Sequence, residues 1–556
     1  MDWDEEYDLV VLGAGAGGLT AALVAATLGM RAMLLEKTEQ LGGTTARSGG
    51  AVWLPKDPEA HRYLDALVGE RAGRPLREAF LDAGPKMLEY LQAHSEVRFE
   101  HAPGEVDYRQ DIPAAAIGRA FRPEPYDGRQ LGAAFERIAP PLPELTVFGG
   151  MMVTRAEVAR LLRFSRSWDS FVLAAGLTFR YLMDRVRYTR GTRLVLGNAL
   201  VARLYKSLLD RRVPIRFGAA CAELVSDRRR VEGVIVEEQG RWRRIRARRG
   251  VVLAGGGFPA SATLRRRFLR QPVAEYTAAS PGCTGDTILL AERIGAALAG
   301  NEDNALWFPS SVASRRDGST AVFPHIVLDR PKPGLIAVNR AGRRFVNEAA
   351  AYHEFVRAMY RSHQSVPTIP AFLICDRAFL WKYGLGMVRP HTLSLGRFVR
   401  SGYLRTARTL EGLASKIGVD PADFKATIFR YNDFARTGVD EDYGKGENAY
   451  DRSNGDPSQA PNPCVGAISK PPYFSVAIFP TPLGTSLGLR ANEHGQVLDG
   501  AGLPIDGLYA CGNDMESVMG GEYPGPGAQL GPAMTFGYLI AQHAFQTSQA
   551  TRERIL

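Results

Sequence analysis

The sequence predicts an α/β fold on three observations: an apolar strand that runs straight into a glycine-rich turn, a helix of small residues after it, and a second apolar strand ending on a carboxylate. The first strand, Tyr7 to Leu12 (YDLVVL), is a continuous apolar run of the kind buried on both faces of a parallel sheet. It enters GAGAGG, Gly13 to Gly18, and then LTAALVAATLG. Gly13 allows the tight turn, Gly15 lets the backbone approach a pyrophosphate, and Gly18 lets helix and strand pack closely. Ala14, Ala16 and Gly17 complete the turn, and the helix N-terminus supplies N–H donors to the anion. The strand RAMLLE then ends at Glu36, about 20 residues beyond the turn, where a carboxylate accepts hydrogen bonds from ribose hydroxyls.

Composition bounds what surrounds this unit. At 556 residues the chain is too long for one ordinary core and implies two or more lobes. Its 45% hydrophobic and 23% charged residues are those of a soluble globular protein. No run of apolar residues is long enough for a membrane span, and the acidic start MDWDEEYDLVVLGAG does not fit a secretory leader, so a cytoplasmic location is expected. Cys221, Cys283, Cys375, Cys464 and Cys511 are scattered without a CxxC pair, which argues against a disulfide framework or a zinc site. The net charge of +10 comes without a nucleic-acid-binding module and reads as a solvated basic surface. One stretch departs from the average: Arg155 to Arg212 is arginine-rich and encloses FVLAAGLTFRYLM, Phe171 to Met183. The preferred expectation is a buried helix with arginines snorkelling at its flanks; the alternative is a peripheral contact with an anionic membrane surface.

A second small-residue loop follows Glu36 and Lys37: Gly42, Gly43, Thr44, Thr45, Ser48, Gly49 and Gly50, within KTEQLGGTTARSGGAVWLP. Further on come VVLAGGGF with Gly256, CTGDT with Asp286, and GLYACGN with Gly512 and Asn513. With these four pieces in this order the chain resembles, over essentially its whole length, the flavoproteins of the fumarate reductase and 3-ketosteroid dehydrogenase superfamily. The resemblance implies FAD, held along these segments and closed from the other end by the GLYACGN segment, with Gly527 and Leu530 also at the cofactor. It also implies a Rossmann-like FAD-binding domain, residues 1–303 and 485–556, with an inserted α+β catalytic domain, residues 304–484. Asn448 to Pro472, rich in Asn, Pro, Ser and Asp, reads as a long loop.

The reaction turns on the inserted lobe. GLIAVNRAGRRFVNE, Gly334 to Glu348, resembles the segment that leads to the active site throughout the superfamily, and fumarate reductases carry an arginine proton donor four residues beyond that Glu. This chain has Tyr352 there. A dicarboxylate site needs cations, whereas a phenol suits a neutral substrate that loses a proton. Tyrosine at this point resembles the 3-ketosteroid Δ1-dehydrogenases, and the resemblance extends to Tyr108 in VDYRQD and to Tyr523 and Gly527 in EYPGPG. It implies that Tyr523 and the Gly527 N–H hold the C3 carbonyl of a 3-ketosteroid, Tyr352 takes the C2 proton with Tyr108 as its partner, and flavin N5 takes the C1 hydride. Phe323 is expected to place an aromatic ring against the steroid face. Glu105 departs from the family's aromatic residue, which puts the local pocket shape in question. His353 is expected to face elsewhere. The alternatives are a 3-oxo-5α-steroid Δ4-dehydrogenase or a related flavoprotein acting on another cyclic ketone. With one nucleotide motif in the chain, electrons are expected to leave to an external acceptor, a quinone or a carrier.

Overall fold

The strand Glu5–Leu12 lies near the centre of an eight-stranded sheet, with Leu9, Val10 and Val11 fully buried. A computed structural model describes residues 2–161, 167–227, 230–315 and 317–553 of the chain. Glu5–Leu12 pairs in parallel with Ala32–Leu35 on one side and Arg241–Leu253 on the other, and Arg241–Leu253 pairs in parallel with Pro504–Ala510. The α/β class expected from the sequence is the one found. The first half of Arg241–Leu253 continues beyond the parallel core as an antiparallel meander with Arg230–Glu238 and Ala219–Asp227.

Register decides where the strands stop. Leu12 stands opposite both Leu35 and Leu253, and Leu253 stands opposite Ala510, so four parallel strands end at one level. The residues that follow are Gly13, Glu36, Ala254 and Cys511. Ligands of open α/β sheets bind at such a carboxyl edge. The helix Ala16–Thr27 rises from that edge and packs against the long C-terminal helix Leu530–Glu553. The two backbones meet so closely that a Cβ on Gly537 would lie 2.5 Å from the Gly17 carbonyl oxygen.

A second, six-stranded antiparallel sheet is formed by residues 305–485. Its central strand, Tyr473–Thr485, pairs with Ala305–Ser314, Ala371–Asp376 and Arg405–Ala407. One face is covered by the helices Leu410–Ile417 and Pro421–Thr437, which bury Leu413, Phe424 and Ile428 against Ile336, Phe372 and Ile374. Between Asn448 and Pro472 the expected loop contains a helix, Ala449–Asn454, started by the Asn448 side chain accepting from Asp451 N. That cap is why a polar stretch becomes helical here.

The arginine-rich segment corrects a second expectation. Trp168–Arg187 is one helix, but only Ser170 and Asp184 on it are buried. Trp168 is 75% exposed and Val186 is 83% exposed, with Phe171, Phe179, Leu182 and Met183 also in the open. Arg163 and Arg166 lie outside the described residues.

Candidate active site

The glycine turn has the geometry that its residues demand. Gly13 adopts φ +107°, and a Cβ there would sit 2.3 Å from the Ala254 carbonyl oxygen. A Cβ on Gly18 would lie 2.0 Å from the Gly13 carbonyl oxygen, so this glycine serves helix–strand packing and faces away from the cavity. Gly42, expected at the cofactor, instead packs at φ +106° against Ala46 and Val201. The other expected positions line one cavity of about 960 Å³: Gly13 to Gly17, Glu36, Lys37, Gly43 to Thr45, Ser48 to Gly50, Gly256, Asp286, Gly512, Asn513, Gly527 and Leu530.

This cradle fits a dinucleotide. Cβ atoms built on Gly43 and Gly49 would meet nothing within 4 Å, and one on Gly15 only Thr45 Oγ1 at 3.8 Å, so bare backbone borders open space. Glu36 is aligned at the strand end by accepting from Ala14 N at 3.0 Å and Thr38 N at 2.9 Å. Lys37 donates to Thr284 and Asp286, both at 2.6 Å, joining the second strand to the TGD turn. Sequence reasoning missed Asp514, which accepts from Gly255 N at 2.6 Å, Gly257 N at 2.8 Å and the Thr287 hydroxyl at 2.7 Å. Burial raises its pKa against those stabilising donors. It fastens the AGGGF turn to the GLYACGN strand end.

In the same cavity three tyrosines distant in sequence meet. Tyr352 opens the helix Tyr352–His363, and its ring stacks on Phe308 at 4.2 Å. Its hydroxyl donates to the Tyr108 hydroxyl at 3.3 Å. The Tyr523 ring lies 5.1 Å from that of Tyr352 and 5.6 Å from that of Tyr108. Backbone and side chains hold this arrangement: Tyr108 N and the Tyr63 hydroxyl both donate to the Pro524 carbonyl at 2.8 Å. Asp107 is buried beside Arg119 at 2.7 Å and accepts from Trp53 Nε1 at 2.8 Å. Burial pushes the phenols of Tyr108 and Tyr352 well above the ordinary value of 10.0, and that of Tyr523 upward as well. All three are neutral near pH 7.

Gly527 lines the cavity at φ +94°, and its N–H donates to no acceptor among the described residues. The glycine is required by the protein rather than by ligand approach alone: a Cβ would fall 2.3 Å from the Ala51 carbonyl oxygen. Gly525 likewise lies against Trp53, 2.6 Å from where its Cβ would be.

Phe323 does not reach the site. It pairs with Ser311, three residues beyond Phe308 on the neighbouring strand, so alternation puts it on the opposite face. There it packs at 5.1 Å against His325. Phe308, and not Phe323, lines the cavity. Glu105, in place of an aromatic residue, forms an ion pair with Arg122 at the cavity wall. His353 does not line the cavity: its Nδ1 accepts from Trp307 N at 3.1 Å, and its ring lies 6.2 Å from that of Tyr523. Two further groups were missed. Gln529 Nε2 donates to the Tyr523 hydroxyl at 3.0 Å, and Tyr450, 4.9 Å from the Tyr108 ring, completes the aromatic cluster. Their place at the site is found by what they touch.

Residues 8–530 match the model of the FAD binding domain family. A 3-oxosteroid 1-dehydrogenase of Mycobacterium tuberculosis is 38% identical, over 97% of this chain and 98% of that protein. A 4-oxocyclohex-2-ene-1-carboxylate 5-dehydrogenase of Sinomonas cyclohexanicum is 34% identical, over 98% of this chain and 94% of that protein. The crystal structure of the 3-ketosteroid Δ1-dehydrogenase of Sterolibacterium denitrificans, in complex with 1,4-androstadiene-3,17-dione, superposes with a TM-score of 0.91 at 35% identity. That match covers 98% of this chain and 100% of that one. The strand-end cradle, the phenol cluster in the same cavity and the full-length similarity agree: this chain belongs to the FAD binding domain family and, within it, to the 3-oxosteroid 1-dehydrogenase family of flavin-dependent oxidoreductases.

Proposed function

We propose that this chain desaturates the A ring of 3-ketosteroids between C1 and C2, as a step of steroid breakdown. The observation that carries this reading is the convergence of Tyr108, Tyr352, Tyr523 and the unengaged Gly527 N–H on the cavity that contains the dinucleotide cradle. Residues 1–303 and 485–556 serve as the FAD-binding domain, and residues 304–484 as the catalytic domain.

The Tyr523 O–H and the Gly527 N–H receive the C3 carbonyl oxygen and stabilise negative charge as it develops there. Gln529, by donating to the Tyr523 oxygen, leaves the phenol proton free to point at that carbonyl. Polarisation makes the C2 hydrogen acidic, and Tyr352 takes it. A neutral phenol is no base, so the Tyr352–Tyr108 pair acts after losing one proton, and the hydrogen bond between them lets either oxygen carry the charge. Phe308 fixes the Tyr352 ring against its stack. Bound FAD supplies the acceptor for the C1 hydride; an external quinone or carrier then takes the electrons.

The apolar wall favours a steroid over a single-ring keto acid. Leu142, Leu145, Met152, Ile326, Val327 and Leu328 line the same cavity, an apolar lining suited to an uncharged multi-ring substrate. Anaerobic titration with a panel of 3-ketosteroids and 4-oxocyclohexanecarboxylate, followed by product identification, tests the reading. Loss of flavin absorbance with a 1,2-unsaturated steroid product supports it; reaction with the keto acid alone, or 4,5-unsaturation, rejects it.

A peripheral contact with an anionic bilayer belongs to the same reading. The apolar residues Trp168, Phe171, Phe179, Leu182, Met183 and Val186 are exposed alongside Arg155, Arg160, Arg185 and Arg187, a pairing of apolar surface and cations suited to lying on such a bilayer. No helix among the described residues is long and apolar enough to cross one. Met152 to Arg155 line the cavity just before this segment, so a sparingly soluble substrate would enter from the lipid side. The holoprotein should co-sediment with vesicles containing phosphatidylglycerol, and a variant with Trp168→Ser, Phe179→Ser and Val186→Ser should not. Equal sedimentation of both proteins would exclude this contact.

A further inference from the structure

The three phenols face the cavity, but the segments that carry them are joined behind it by charge. Glu522, which precedes Tyr523, is 2% exposed. Its Oε2 accepts from Arg357 Nη1 at 2.8 Å and lies 3.5 Å from Arg109 Nη1. Arg71 Nη1 stands 2.8 Å from Oε1 as an ion pair without hydrogen-bond alignment. Arg109 follows Tyr108 in the chain, and Arg357 lies on the helix that Tyr352 opens. One buried carboxylate therefore gathers a cation from the segment of each other phenol.

The local geometry explains why the charges stand behind the rings. Tyr108 and Tyr523 line the cavity and their chain neighbours Arg109 and Glu522 do not, so the charges lie off the wall that the phenols form. Arg357, five residues along the helix, lies about 140° round from Tyr352. Glu522 is absent from the cavity wall. Arg357 is itself oriented by Asp303 at 2.7 Å and Glu354 at 3.0 Å, and Arg109 by Asp111 at 2.7 Å, so each arginine presents Glu522 with a side chain already fixed.

We propose that Glu522 is a positioning residue: through Arg109 and Arg357 it sets the spacing of Tyr108, Tyr352 and Tyr523 while touching neither substrate nor cofactor. This rests on the roles given to those tyrosines above. A misplacement of about 1 Å in a reacting constellation costs on the order of a hundredfold in rate, so loosening this node acts on turnover before it acts on binding.

The test uses the FAD-loaded full chain with Glu522→Gln, which keeps the shape and one acceptor oxygen, and Glu522→Ala. The expected result is a kcat lowered about tenfold in the first and about a hundredfold in the second, with KM and FAD content within about threefold and twofold of the parent. Unchanged kcat in both variants overturns the proposal. Loss of FAD or of the fold in both also overturns it, because Glu522 would then serve stability alone. If the parent protein leaves every 3-ketosteroid unchanged, the proposed reaction fails, and crystals of Glu522→Gln still decide the present question. Phenols displaced relative to one another uphold it; phenols in their original spacing reject it.

Discussion

The two walls of the cavity are built from different materials. The cofactor wall is backbone: glycines in consecutive residues, conformations closed to other side chains, and N–H groups at the end of a helix. The phenol wall is mainly side chain: three phenols drawn from positions 108, 352 and 523, none near another in sequence, with the Gly527 backbone beside them. Where the backbone packs on itself, as at Gly13 and Gly18, it tolerates no added atom, because the constraint is steric and local. Side-chain sites tolerate substitution structurally and lose function by degrees, because their geometry is held by distant contacts.

Substitutions on each wall should separate these behaviours. Gly13→Ala should have the largest effect, since its Cβ would fall 2.3 Å from the Ala254 carbonyl oxygen at φ +107°. The purified protein should be colourless, read as the ratio of flavin to protein absorbance; full FAD occupancy would refute the steric argument. On the other wall Tyr523→Phe should keep its flavin and lose about 100- to 1,000-fold in kcat, the usual cost of one oxyanion donor. A kcat within twofold of the parent would remove the phenol from the carbonyl.

Acidity should follow the side-chain wall. Burial raises the Tyr108 and Tyr352 phenols above 10.0, so the deprotonated pair is a minor species at neutral pH and grows as pH rises. Turnover should accordingly climb about tenfold per pH unit from neutral to mildly alkaline solution. A flat profile over that range would mean that neither phenol supplies the base. The smallest effect should be that of Gln529→Leu, which removes one neutral hydrogen bond to the Tyr523 hydroxyl and should cost up to about tenfold in kcat with little change in KM.

The same contrast explains what could be read from the sequence. The turn at Gly13 to Gly18, the acid at Glu36 and the class of fold were legible because strand period, glycine conformation and spacing act over a few neighbouring residues. Tyr352 and Tyr523 stood out only through motifs matched to a family. Gln529, Phe308 and Asp514 carried no such mark, since their importance lies in contacts made across the fold. Phe323 was misplaced because its facing depends on strand pairing with Ser311, and a one-residue difference in register reverses a side chain. Phe171 to Met183 was expected inside because an apolar run does not say which surface, if any, covers it.

The most direct test of the account is the anaerobic single-turnover rate of flavin bleaching by a 4-en-3-one steroid in the parent protein and in Tyr352→Phe. The account predicts that the variant binds FAD as the parent does and bleaches about 100- to 10,000-fold more slowly, the range lost with a general base. Equal rates in the two proteins would contradict it, because the C2 proton would then leave without Tyr352.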